Sequence, residues 1–121
     1  MLKSGNLKHY DLEDRTLKFA ISVRNFANKL PKTIVSIEDL KQLVRSSGSI
    51  GANYIEANES LSKKDFILRI KISRKESKES IFWLSLIACN NNFLLEKERQ
   101  ALIKEATELM MIFSSIMRKA K

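Results

Sequence analysis

"RSSGSIGANYIEAN", residues 45–58, holds two of the chain's three glycines and three serines. Helix interiors usually avoid both residue types, so the stretch is either a break in the fold or a helix with a reason to be small and polar. Periodicity decides. Leu40, Leu43, Val44, Ser47, Ile50, Gly51, Tyr54 and Asn58 follow the i, i+3, i+4, i+7 pattern without losing phase across the stretch. The reading is helix interior. A phosphate cradle is the sharp alternative, since "GSIGAN" is loosely glycine-rich. No strand precedes it, no Gly-Lys-Ser/Thr follows, and the spacing fits neither nucleotide fingerprint.

Working outward, three further amphipathic segments appear. The first helix is expected at about 11–30, with Leu12, Phe19, Val23, Phe26 and Leu30 as its stripe, Thr16 and Ala27 filling it, and Pro31 ending it. Leu17 and Ile21 form a weaker second face. The second helix, about 37–59, opens with Ser36 as N-cap and Asp39 in its first turn. The third, about 63–90, opens with Ser62 as N-cap and Asp65 three residues on. Its stripe is Phe66, Ile70, Ser73, Ser77, Ile81, Leu84 and Ala88. The fourth, about 95–119, carries Leu102, Ile103, Ala106, Leu109, Met110, Phe113 and Met117 on one face. Connections this short favour antiparallel neighbours. The expected fold is all-α: an up-down-up-down antiparallel four-helix bundle, one domain over 1–121. Three glycines and one proline in 121 residues agree with a few long helices rather than many strands.

The third helix has a second apolar face. With Ile70 at zero and ~100° per residue, its core stripe clusters near 0°. Leu68, Ile72, Phe82, Trp83 and Leu86 fall between ~120° and ~220°, on the opposite side. A helix apolar nearly all round is buried nearly all round. In a small bundle only another chain can cover the outer face, so these five residues are the expected oligomer interface.

On the second helix, Arg45, Ser49, Ala52 and Glu56 share the face away from Ile50 and Tyr54, with Asn53 beside it. Ser46, Ser47, Gly48, Gly51 and Ala52 have little bulk. They either admit a second helix backbone at close range or leave a solvated polar face. Ser49, Asn53 and Glu56 are candidates to hydrogen-bond across such a contact, to Arg74 or Arg45.

The net charge is +8, which raises nucleic acid or another polyanion as a partner. Residues 62–79 hold seven cations against three carboxylates. Lys71, Lys75 and Lys78 group at ~80–140° on the wheel and are expected to face solvent, while Arg74 falls near the core stripe as a partner for Glu56 or a serine. Lys63 and Lys64 open the helix. Arg118, Lys119 and Lys121 make a second cluster. Lys63, Lys64, Lys71, Lys75, Lys78, Arg118 and Lys119 are the candidate nucleic-acid contacts. With no named DNA-reading motif, the expected binding is to phosphate, salt-sensitive and with little sequence preference.

Catalytic signals are weak. His9 is the one histidine and sits in the N-terminal segment. There is no Glu-x-x-His metal pair and no nucleophile elbow, so neither an enzyme, a metal nor a cofactor is expected. Cys89, alone in an apolar run, reads as a small buried hydrophobe. No apolar run reaches ~18 residues and no signal-peptide h-region is visible; a cytoplasmic protein without a membrane partner is expected.

Residues 44–80, "VRSSGSIGANYIEANESLSKKDFILRIKISRKESKES", resemble the small bacterial four-helix-bundle proteins encoded by intervening sequences in 23S ribosomal RNA genes. The resemblance rests on Ser49-Ile50, Asn53, Glu56, Lys63-Lys64-Asp65-Phe66, Arg74, Ser77 and Glu79. Ala57 stands where the family often has glycine, and "CNNNF" replaces its usual turn after the third helix. The resemblance implies a homopentameric toroid. It also implies kinship with the accessory variability determinants of diversity-generating retroelements, basic pentamers that bind nucleic acid and a reverse transcriptase. Arg45, Ser49, Asn53, Glu56, Arg74, Ser77 and Glu79 are then expected to form a structural polar network. The leading expectation is an oligomeric accessory protein binding RNA or an RNA–protein complex. The alternative is an interaction module for an acidic protein partner, such as a reverse transcriptase or a ribosomal component.

Overall fold

The computed structural model describes the backbone of residues 4–120 and the side chains of residues 11–120. Four helices follow in order: α1 Ser4–Asn28, α2 Ile34–Asn58, α3 Lys63–Leu86 and α4 Phe93–Ala120. No strand occurs among the described residues. Each helix packs on its neighbours in sequence, and α1 against α4 closes the ring. Cross-helix pairs show the antiparallel sense. Asn58 meets Glu13, Arg45 meets Glu79, and Arg15 meets Glu105.

Several helix ends differ from expectation, each for a local reason. α1 starts earlier, at Ser4, because no proline interrupts the segment before Asp11. It ends at Asn28 rather than residue 30, since Pro31 pushes Leu30 out of the helical region. Lys32 Nζ then donates to the Ala27 and Leu30 carbonyls at 2.9 and 2.7 Å. The N-cap of α2 is Thr33, not Ser36. Ser36 is instead the third helical residue of a capping box, its N–H donating to Thr33 Oγ1 while its hydroxyl accepts from the Thr33 N–H at 2.8 Å. Ser62 does cap α3, accepting from the Asp65 N–H at 3.1 Å. α3 stops at Leu86, four residues early, and Ala88 is exposed rather than in the stripe. Asn90 and Asn91 adopt φ of 50° and 65°, the left-handed region that asparagine tolerates. Asn92 Oδ1 then accepts from the Leu95 N–H and starts α4. Arg99 Nη1 donates at 3.0 Å to the Leu84 carbonyl, which also accepts from the Ile87 N–H at 3.4 Å, and so ties α4 to the end of α3.

The core is one continuous cluster. Val23, Phe26, Leu43, Ile50, Ile70, Leu84, Leu109 and Phe113 are fully buried within it. Leu17 and Ile21 on the weaker face of α1 are exposed. The opening stretch is helical throughout, and its small residues serve two contacts. Gly48 and Gly51 face α1: a Cβ on Gly51 would stand 2.8 Å from Thr16 Oγ1. Ser46 and Ser47 are fully buried, as are Ser73, Ser77 and Ser80 of α3. Ser46 and Ser80 share a hydrogen bond of 2.9 Å, and Ser73 donates to the Ile50 carbonyl at 2.9 Å. A serine seam thus lets α2 and α3 pack closely with their hydroxyls satisfied.

Candidate functional site

The outer face of α3 is a groove of about 550 Å³. Leu68, Ile72, Phe82 and Trp83 form its apolar floor, and Lys71, Arg74, Lys75, Lys78 and the Arg45-paired Glu79 its rim. Phe82 and Trp83 meet edge to face, ring centroids 5.1 Å apart. Leu68, Phe82 and Leu86 stand half in water, while Ile72 and Trp83 are half-buried. The apolar stripe was assigned to the oligomer interface and the lysine strip to nucleic acid. They are one surface, because the two sectors of the wheel overlap: Lys71, Phe82, Lys75 and Leu68 alternate within ~60°. Lysine stems lie along apolar floor while their ammonium heads stay in water.

The remaining candidate cations lie elsewhere. Lys63 and Lys64 begin α3, and Arg118 and Lys119 end α4. The antiparallel topology brings these two termini to the same end of the bundle, and all four side chains are exposed. Lys121 lies outside the described residues, as does the side chain of His9. All seven candidate nucleic-acid contacts share one property. None forms an ion pair with a described residue. Arg24, Lys32, Arg69, Arg74, Lys97 and Lys104 form none either, whereas Arg15 pairs with Glu105 and Glu108, Lys18 with Asp14, Lys29 with Glu98, Lys41 with Glu38, Arg45 with Glu76 and Glu79, and Arg99 with Glu96.

The polar network on α2 and α3 forms with different partners from those expected. Arg45 Nη2 donates to Glu79 at 2.9 Å and lies 3.4 Å from Glu76 Oε1. The bond to Glu76 and the charge of both carboxylates raise the Arg45 pKa. Glu76, absent from the expected set, is the buried member: its Oε1 has no hydrogen bond, only the charge contact with Arg45. No signal within either helix points to it, because residue 45 comes opposite 76–80 only through the register of α2 on α3. Asn53 donates to the Ser49 carbonyl and accepts from Arg69, not Arg74. Ser49 and Ser77 hydroxyls return to backbone carbonyls of their own helices. Arg74, expected as a partner for Glu56 or a serine, bonds to neither. Glu56 is exposed on α2, and Arg74 belongs to the groove rim.

Other surfaces offer less. A mixed-charge groove between α1 and α4 is lined by Arg15, Lys18 and Lys29, whose charges are already paired. Cys89 is buried, and desolvation pushes its thiol pKa up, which disfavours a thiolate. Among the described residues, no cluster of three or more His, Cys, Asp or Glu could hold a metal. No helix among them is long and apolar enough to cross a membrane.

Comparison with known proteins places this geometry in context. The family described as 23S rRNA-intervening sequence protein matches residues 8–115. A crystal structure of a protein of unknown function from the S23 ribosomal protein family of Bacteroides thetaiotaomicron VPI-5482 is similar at 30% identity. That similarity covers 88% of this chain and 97% of the other, with a TM-score of 0.73. No curated protein matches. With the family match spanning nearly the whole bundle, the chain belongs to the 23S rRNA-intervening sequence protein family.

Proposed function

We propose that this protein is a cytoplasmic, non-enzymatic accessory protein that assembles from several copies and binds structured RNA through phosphate contacts. The observation that carries the reading is the set of seven unpaired cations, Lys63, Lys64, Lys71, Lys75, Lys78, Arg118 and Lys119. Salt bridges occupy Arg15 and Lys29 at the α1–α4 seam and Arg45 at the α2–α3 seam, whereas these seven are available to an external anion. The apolar floor of α3 supports assembly, since an exposed stripe of that size on a monomer invites association. Self-pairing of this face across a two-fold axis would set four cations against their own copies. A head-to-tail contact that closes into a ring avoids this, in keeping with the homopentamer implied by the family resemblance. Repetition around the ring adds weak phosphate contacts through multivalency.

Affinity for a structured RNA measured against salt tests the reading. The expected log–log slope is steep, close to one unit per phosphate neutralised; no binding at low salt would contradict it. A second reading is favoured by the groove floor itself, whose aliphatic and aromatic side chains suit a protein helix. In that case an acidic amphipathic helix of a partner, such as a reverse transcriptase or ribosomal component, lies between the lysines. Titrating the protein with an acidic amphipathic peptide, read by Trp83 fluorescence, distinguishes the two.

A further inference from the structure

Arg74 on the α3 groove rim and the exposed Glu56 on α2 form no ion pair with a described residue. Within one copy they stand apart. The Ser46–Ser80, Ser73–Ile50 and Arg69–Asn53 bonds fix the register of α2 on α3. That register sets Glu56 level with Phe66 and Ile67, about two helical turns from Arg74.

Glu56 belongs to a strip on the outer side of α2 that neither α1 nor α3 covers. Ala52, Ile55 and Glu59 share its exposure. Ser49 turns its hydroxyl back to the Arg45 carbonyl, so Ser49 and Ala52 present little bulk. Leu17 and Ile21 carry the strip onto α1. The Gly51–Thr16 crossing and the Asn58–Glu13 bond bracket Ile55 and bring it level with Leu17, one turn from Ile21. Ile55, Leu17 and Ile21 are exposed at 50, 57 and 48%.

We infer that this strip covers the α3 groove of the next copy, so that Arg74 of one copy pairs with Glu56 of its neighbour. The inference rests on the assembly proposed above and names the other half of its head-to-tail contact. Three observations favour a second copy as occupant. First, the charges are complementary. Glu56 offers a carboxylate to the Arg74 guanidinium, a geometry suited to two parallel hydrogen bonds. Glu59, one turn on, meets Lys71 or Lys78, each about one turn from Arg74. The cations bordering the strip are engaged or distant. Arg45 is paired with Glu76 and Glu79, and Arg69 donates to Asn53. Arg24 donates to the Ala20 carbonyl beside Gly48, about two turns from Glu56. Lys63 and Lys64 lie beyond Glu59, at the basic end. Second, the shapes match: Leu68, Phe82 and Leu86 project from α3, and the strip sets small residues between Ile55 and Ser49 to receive them. Third, the placement suits a ring. α2 and α3 are adjacent corners of the bundle, so their outer faces point roughly a right angle apart. Copies joined α3 to α2 turn at every contact and close into a small ring, odd or even in number. Two carboxylates against four rim cations leave lysines in excess, which stay at the edge of the contact for phosphate.

Sedimentation velocity and native mass spectrometry of the full chain at micromolar concentration test it. The wild type is expected as an assembly of several copies. Arg74→Glu and Glu56→Arg each oppose like charges, and each is expected to raise the dissociation constant of the contact about tenfold or more. Each alone therefore lowers the mass, and the two combined in one chain return it to that of the wild type. Ala52→Arg, adding bulk on an exposed helix surface, lowers it likewise. Circular dichroism should stay unchanged in all of them, since none of the three residues lies in the core. Leu68→Glu lowers the mass under any assembly through α3. Loss of mass in Leu68→Glu with none in Glu56→Arg would overturn the inference and leave the α3 assembly standing. A monomeric wild type would overturn both. No recovery in the double variant, or an acidic amphipathic peptide that occupies the groove of the intact assembly, would overturn the inference as well.

Discussion

Gly51 on α2 and Thr16 on α1 sit so close that a Cβ at residue 51 would stand 2.8 Å from Thr16 Oγ1 and 3.1 Å from Thr16 Cβ. Thr16 is buried, and its hydroxyl donates to the Leu12 and Glu13 carbonyls of its own helix, so it has no room to retreat. Gly48, one turn earlier, differs: a Cβ there would meet only Arg24 Nη2, the end of a flexible side chain, at 3.3 Å. The same substitution therefore has opposite signs three residues apart. Gly51→Ala is expected to destabilise by about 1–3 kcal/mol, overpacking outweighing the gain in helix propensity. Gly48→Ala is expected to stabilise by up to ~1 kcal/mol. Urea denaturation of both variants checks this, and a stabilised Gly51→Ala would contradict the close crossing.

Arg45 compensates a carboxylate that the fold buries. Glu76 is nearly closed off from solvent and its Oε1 has no hydrogen bond. Arg45→Ala leaves that charge without a cation, and about 1–2 kcal/mol of stability should go with it; Arg45 is half-exposed, which keeps the value at the low end. Glu79→Ala, removing the more exposed acceptor, should change stability by less than ~0.5 kcal/mol. Adding Glu76→Gln to Arg45→Ala should recover most of the loss. Chemical denaturation of the double-mutant cycle reads the coupling, and a null coupling would remove the pair from the α2–α3 seam.

Glu96 gives the connection after α3 an acid sensitivity of defined sign. The Arg99 guanidinium, then the Gln100 amide, hold its carboxyl down to about 2, from an ordinary 4.5. A folded pKa below the unfolded one means stabilisation that is present above about 4.5 and lost as pH falls toward about 2. Glu96→Gln should flatten the dependence of stability on pH inside that window and nowhere above it. Thermal melts between those pH values check it, and a variant as acid-sensitive as the wild type would contradict it.

The bundle was legible in the sequence because apolar spacing survives any local oddity. Leu40, Leu43, Ile50 and Tyr54 kept phase through glycines and serines that propensity alone would assign to a loop. Helix ends were less legible. Thr33 and Ser36 both suit a cap, and only the backbone geometry shows which residue caps and which reciprocates. The end of α3 depended on asparagines entering the left-handed region, which helical periodicity does not register. At the candidate site, residue identities and the overlap of the two wheel sectors were visible, but the groove they build together was not. A wheel separates Lys75 from Leu68 by ~20°, less than the reach of a lysine stem. Glu76 and the Ser46–Ser80 bond were hidden because they depend on the α2–α3 register, a property of two helices together.

Of all the contacts proposed for RNA, the four at the basic end of the bundle are the cleanest to remove, being exposed, unpaired and remote from the core. The affinity of wild type and of Lys63→Ala/Lys64→Ala/Arg118→Ala/Lys119→Ala for one structured RNA should be measured across a salt series, with oligomeric mass checked in parallel. The account predicts a steep log–log slope for the wild type that falls by about one unit for each removed side chain in contact with phosphate, at unchanged mass. Equal slopes for the two proteins, or no RNA binding by the wild type at low salt, would contradict it.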